Sequence, residues 1–329
     1  MSSVRFRLAA AIAAIAVATP VLAGQVADSH RATAVIDGYL GVISDDLDNP
    51  GTDALDAVGY LVGADGFFNG WIDGNWAVQF DLNAEIAGPL EYWPGAGTYR
   101  TALAGAAHVA YRDPEQFAAA LFGAVQQVSD AVDGNVEDTL AYALLGAEAQ
   151  AYLDDLTLYV QAGVALTEPG EPDGGDSYRD YGTFGFVRGV LRYFLTDNLR
   201  LQAEATYGQG TVGYYSYGVP DYIGADVPVT LTMIRLQADY RPDDSDFSYF
   251  AAYEASLNSQ EVSGVARSSL AQRVMVGVKL DMGAETLRTR DREGVTWDVP
   301  QITGAIAQGN SLDYCFIGDC FPNNVPLPP

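Results

Sequence analysis

The chain has 329 residues, a formal net charge of −26 and only two cysteines and two histidines. A surface that acidic repels phosphate backbones, which excludes nucleic acid as a partner. With so few soft or imidazole ligands, no metal centre and no other cofactor is read from the composition.

Residues 1–23 carry Arg5 and Arg7, an apolar run from Leu8 to Val17, and Val21-Leu22-Ala23. This is the pattern of a secretory signal cleaved after Ala23, and its loss takes the charge from −26 to −28. Residues 24–31 then form a short N-terminal periplasmic segment. No later run approaches the ~20 apolar residues of a membrane helix.

Between turn residues, twelve strand-like runs follow: 32–43, 57–68, 75–87, 99–112, 116–128, 139–152, 156–166, 181–195, 199–210, 229–241, 247–257 and 269–282. Their connections have 13, 6, 11, 3, 10, 3, 14, 3, 18, 5 and 11 residues, a regular long-short rhythm. A membrane β-barrel has that rhythm, with tight turns on the periplasmic side and longer loops outside. An even number of strands puts both ends of the barrel in the periplasm.

The third run sets Trp76, Val78, Phe80, Leu82, Ala84 and Ile86 against Gln79, Asp81, Asn83 and Glu85. Alternation of period two argues a strand with one apolar and one wet face. The ninth, tenth and twelfth runs repeat it. The second is glycine-rich and alternates poorly. The fifth, with Asp113-Pro114 ahead of Phe117, Leu121 and Val125, also fits an amphipathic helix, but a helix would leave an odd strand count. Short connections such as Asp73-Gly74-Asn75 and Thr196-Asp197-Asn198 carry turn chemistry. Trp71, Trp76, Tyr99, Tyr111, Tyr152, Tyr193, Tyr207, Tyr240 and Tyr249 fall near strand ends, as an interfacial girdle requires.

Residues 283–329 no longer alternate and read as an irregular periplasmic tail, with a return into the lumen as a partial plug left open. Cys315 and Cys320, with four residues between them, lie in that tail of an exported chain, and a local disulfide is expected over metal binding. The fold class is therefore all-β: a closed antiparallel transmembrane barrel over 32–282.

That barrel resembles the porin-like outer-membrane barrels of Gram-negative bacteria, and Met275–Met282 is similar to their C-terminal assembly signal. Gly277 stands at the glycine, with Leu280 and Met282 at the two hydrophobic positions. Met275 replaces a polar residue and Met282 an aromatic. The resemblance implies the outer membrane, insertion by the barrel-assembly machinery and passive transport.

With the polar faces turned inward, Arg188, Arg192, Arg200, Arg235, Arg241, Arg273 and Lys279 project into the lumen from the later strands, with Glu204, Asp239, Glu254 and Asp281 among them. Asp81, Glu85 and Glu148 come from another part of the wall. This arrangement supports two readings: a transverse field that selects ions, or cross-strand pairs such as Arg192 with Gln202 and Glu204 that fill and rigidify the interior. Twelve strands ~4.8 Å apart and tilted by ~40° leave a bore of about 10–12 Å after side chains.

Three functions compete. A charged channel for small ions or solutes comes first, and a plugged, anchoring barrel second. An enzyme comes last, since His108 sits near the periplasmic end with no serine beside it. Partners are outer-membrane lipid, lipopolysaccharide and small solutes. The acidic loops (Asp45, Asp46, Asp48, Asp53 and Asp56; Glu168, Glu171, Asp173 and Asp176) read as solvated, with divalent-cation bridging to lipopolysaccharide the sharper alternative.

Overall fold

A strand that is apolar on one face and polar on the other satisfies its backbone in a bilayer only when both edges are paired, which a closed cylinder achieves. The computed structural model shows that closure. It describes residues 32–48, 55–93, 96–132, 135–167, 177–216, 225–262, 265–300 and 302.

The strands are β1 (Thr33–Asp48), β2 (Leu55–Asp73), β3 (Trp76–Trp93), β4 (Ala96–Asp113), β5 (Phe117–Val132), β6 (Asn135–Leu153), β7 (Leu156–Thr167), β8 (Ser177–Tyr181), β9 (Phe184–Thr196), β10 (Leu199–Ser216), β11 (Ala225–Tyr240), β12 (Phe247–Val262) and β13 (Val265–Met282). Each pairs antiparallel with its neighbours, and β13 returns to β1, with Gly38 opposite Val278. β8 and β9 are one course interrupted at Gly182-Thr183: both pair with β10, β8 at Val212–Ser216 and β9 lower down. The described residues thus form a closed barrel of twelve courses.

Most strands run to 16–19 residues, longer than the ~9–11 that cross a bilayer. The excess lies on the loop side. β3–β4, β5–β6 and β12–β13 are hairpins that stay paired almost to their tips, as in Val262 opposite Val265. The long connections read from sequence are therefore partly strand, because pairing continues where the lipid-facing alternation stops.

The fifth run is a strand, β5. Phe117, Leu121 and Val125 are all exposed on its outer face, since a spacing of four suits one side of a strand as well as one side of a helix. The poor alternation of β2 has a cause too: its inward set includes Ala57, Leu61 and Gly63, so both faces are apolar there. A Cβ on Gly63 would meet the Tyr39 ring at 2.2 Å, so the glycine makes room for that ring.

Outward positions carry the membrane-facing surface: Leu40, Val62, Leu121, Val160, Leu191, Leu236 and Val276 are exposed. A ring of aromatics sits beside the short turns, where Trp76 packs edge-on against Tyr111 at 5.6 Å and Tyr111 lies 6.0 Å from Phe117. Trp71 and Tyr152, assigned to this girdle from sequence, instead point inward and are buried. Val276 lies near mid-depth on the lipid face of β13. Val276→Arg should cost ~2–4 kcal/mol, read by urea unfolding from lipid vesicles.

The first part of the tail is not a periplasmic extension. Gly283, at φ +89, turns the chain where a Cβ would strike the Ala32 carbonyl at 2.5 Å. A short helix α1 (Leu287–Glu293) follows, with the Thr286 Oγ1 accepting from the Thr289 amide at 3.0 Å. From there residues 294–300 run inside the barrel, and Ile302 is buried among lumen side chains.

Candidate functional site

The inserted segment is held residue by residue, and its partners climb the wall. At the mouth formed by the short turns the Arg288 amide donates to the Asp197 carbonyl at 3.1 Å, and the Arg288 guanidinium reaches Asp155 at 2.5 Å. Both acceptors lie in short turns. The Arg241 Nη1 donates to the Ala284 carbonyl at 2.8 Å, and Arg290 pairs with Asp281. Helix α1 therefore lies across the mouth.

One level up, Asp291 accepts from the Arg192 Nη1 and the Thr157 Oγ1, each at 2.7 Å. The Arg112 Nη1 donates to the Gly294 carbonyl at 2.6 Å. Gln79 reads the backbone from both sides: its Oε1 accepts from the Thr296 and Trp297 amides at 3.1 and 3.2 Å, and its Nε2 donates to the Trp297 carbonyl at 2.7 Å. Trp297 is 1% exposed, edge-on to Tyr159 at 5.7 Å and beneath the Arg112 guanidinium.

Higher still, the Arg188 guanidinium spans the Asp298 carboxylate with bonds of 2.9 and 2.7 Å, and Gln126 donates to the Pro300 carbonyl at 2.8 Å. Ile302 ends the described path among Leu144, Phe184, Leu231 and Met233. Phe184 is the far end of the 13-residue β9, which at ~3.3 Å per residue and ~40° tilt rises roughly 30 Å. The segment crosses most of the membrane depth.

The residues expected inside are inside, but most are engaged. Arg188 binds Glu204 at 2.6 Å, and Arg200 binds Asp239 at 2.9 Å. Lys279 binds Asp239 at 3.1 Å, Arg273 reaches Glu85 at 3.0 Å, and Arg235 lies 3.6 Å from Glu254. The anticipated pairing of Arg192 holds for Gln202, at 3.2 Å, whereas Glu204 goes to Arg188. The acidic patch is centred on His108, whose Nδ1 meets Glu148 at 2.6 Å and whose Nε2 meets Asp81 at 2.9 Å. Glu148 also accepts from the Tyr159 hydroxyl at 2.6 Å. Both imidazole nitrogens face carboxylates, so His108 has no free nitrogen with which to activate a nucleophile.

The basic wall built by Arg188, Arg192 and Arg200 is answered by Asp291 and Asp298, which the sequence reading did not single out. Both belong to the inserted tail rather than to a spanning strand. Burial raises the Asp291 carboxyl, but the Arg192 and Arg200 guanidiniums outweigh it and hold the group below the usual carboxylate range. Trp297 was the available signal: a large aromatic in an otherwise irregular exported tail calls for a buried partner. Trp297→Ala should cost about 3–5 kcal/mol of tail docking, read as accelerated tail proteolysis with the barrel's heat-modifiable gel mobility retained.

The tail leans on the wall made by β3–β7 and β9 and leaves a cavity of about 170 Å³ beside it. Asp37, Asp65, Glu85, Arg235, Arg273 and Lys279 line it. Above it the inward faces turn apolar, with Ile43, Leu61, Leu90, Phe250 and Met275 in one cluster. The lumen is thus polar at the level of the tail and partly apolar toward the loops. Gly277 belongs to this region, since a Cβ there would meet the Phe250 ring at 2.3 Å. Cys315, Cys320 and residues 1–23 lie outside the described residues.

No family model matches this chain, and no curated protein matches it. Among solved structures it is similar to an outer membrane channel from Pseudomonas putida F1, at 13% identity and TM-score 0.49, over 77% of this chain and 97% of that one. A TodX monoaromatic hydrocarbon channel mutant matches at 8% identity and TM-score 0.45, over 78% and 91%. The translocator domain of the autotransporter NalP from Neisseria meningitidis matches at 14% and 0.43, over 82% and 97%. The fold assignment rests on the closed strand register and the apolar outer surface.

Proposed function

We propose that this chain is an outer-membrane channel for small ions or solutes whose lumen is narrowed by its own C-terminal segment. The observation that carries this reading is the charged cavity of about 170 Å³ beside the inserted tail, in a barrel whose twelve courses enclose more space than the tail occupies. Side-chain pairs hold the segment, and no covalent link among the described residues ties it to the wall. It is therefore a docked element whose occupancy sets the bore. Charged groups that line the cavity, Arg192, Arg200 and Arg235 against Asp81, Glu85 and Glu254, act on the ions that pass. Gly277, Leu280 and Met282 serve as the assembly signal, and lipopolysaccharide surrounds the outer rim.

The second reading is an anchoring barrel with a permanent plug, favoured by how many strands grip residues 284–302. Planar-bilayer recording of the purified full chain beside a form lacking residues 284–329 separates the two. Ion-permeable steps that grow on deletion support the channel, and silence from both forms supports the anchor.

A further inference from the structure

The cavity left beside the tail has an uneven charge balance. Its bases are engaged elsewhere: Lys279 binds Asp239 at 3.1 Å, which Arg200 also binds at 2.9 Å, Arg273 binds Glu85 at 3.0 Å and Arg235 lies 3.6 Å from Glu254, although Lys279 stands opposite Asp37 in the β1–β13 register. Asp37 and Asp65 remain. They are directly opposite each other in the β1–β2 register, so both carboxylates project from the same face of the sheet onto the cavity. Among the described residues no ammonium or guanidinium lies within 4.0 Å of either. Asn83 Nδ2 donates to Asp65. Asp37 is 5% exposed, and its Oδ1 is buried without a hydrogen-bond partner.

Two facing carboxyls within hydrogen-bonding reach of each other must share a proton or take up a cation, because both cannot stay charged side by side, and one Asp37 oxygen still lacks a donor. A donor cation seated between them removes both penalties at once. Among the described residues no three His, Cys, Asp or Glu side chains group to hold a metal ion, and a cation that carries its own N–H donors suits a pair of carboxyls. The space fits an organic one: at ~30 Å³ per water, 170 Å³ takes about five or six non-hydrogen atoms. The Phe250 ring on the same cavity offers an apolar surface to a short alkyl chain.

We propose that Asp37 and Asp65 form a binding site for a small primary ammonium ion, with Asn83 orienting Asp65 and the alkyl part lying in the remaining cavity. The site lies on the solute pathway proposed above and gives that pathway a substrate class, small organic cations.

The test is calorimetric titration of the full chain in detergent with n-butylammonium chloride, at ionic strength held constant with sodium chloride. Saturable one-to-one binding is expected, weakened at least tenfold in Asp37→Asn and in Asp65→Asn, with no heat from n-butanol. Absence of saturable binding overturns the proposal, as does equal affinity in both variants. Should the variants fail to fold, wild-type protein still decides: displacement of butylammonium by equimolar sodium means an inorganic-ion site and overturns it. Binding without conductance in the bilayer experiment would defeat the channel reading and leave the ammonium site standing.

Discussion

Deleting residues 284–329 should raise single-channel conductance by roughly tenfold or more, because the bore would widen from the cavity beside the tail to the ~10–12 Å of an unplugged twelve-strand barrel. The deleted segment contributes no strand to the β1–β13 closure, so the barrel itself should still form. Its removal also strips Asp291 from Arg192 and Asp298 from Arg188, so the basic wall keeps only Glu204 and Asp239 as counter-charges. The widened pore should therefore shift toward anions, read as a change in reversal potential across a potassium chloride gradient. Unchanged conductance in the deletion form would mean that the inserted segment does not limit flow.

Arg192→Ala should release the tail from an otherwise intact barrel. This guanidinium binds Asp291 at 2.7 Å, the Thr296 Oγ1 at 2.7 Å and the Thr296 carbonyl at 3.0 Å, and it packs 5.2 Å over the Tyr159 ring. Truncation leaves Asp291, which is 1% exposed, with only the Thr157 and Thr296 hydroxyls and with Arg200 at 4.0 Å. Removing one partner of a buried pair typically costs about 3–5 kcal/mol, here charged against docking of the segment rather than against the strands. Trypsin should then cut after Arg288 or Arg290 in folded protein, while the parent chain resists. Equal protection of both proteins would show that the network does not hold the tail.

Barrel strands announce themselves where one face meets lipid and the other meets polar groups, and β3, β10, β11 and β13 were plain in the sequence for that reason. β2 and β5 were harder because their inward faces are also apolar, Leu61 in one and Phe122 in the other. The lumen charges were legible as inward-facing, but their partners were not. Alternation tells which face a residue occupies and nothing about what stands across the lumen, so Glu85 meeting Arg273 from a non-adjacent strand had no sequence signal. The tail was least legible. Its contacts are single residues reaching Gln79, Arg112, Gln126 and Arg188 on four strands, a pattern with no period, and only Trp297 hinted at burial.

The position of the plug at the end of the chain bears on biogenesis. Helix α1 begins five residues after the strand that seals the cylinder, so the wall can zip shut before the last segment has a lumen to occupy. Its ligands are drawn from β2 to β9 as well as from the seam, and they come together only in the finished cylinder. Threading from the periplasmic mouth would then be the final maturation step, and a newly inserted molecule would pass through an interval of greater leakiness before it reaches its resting state.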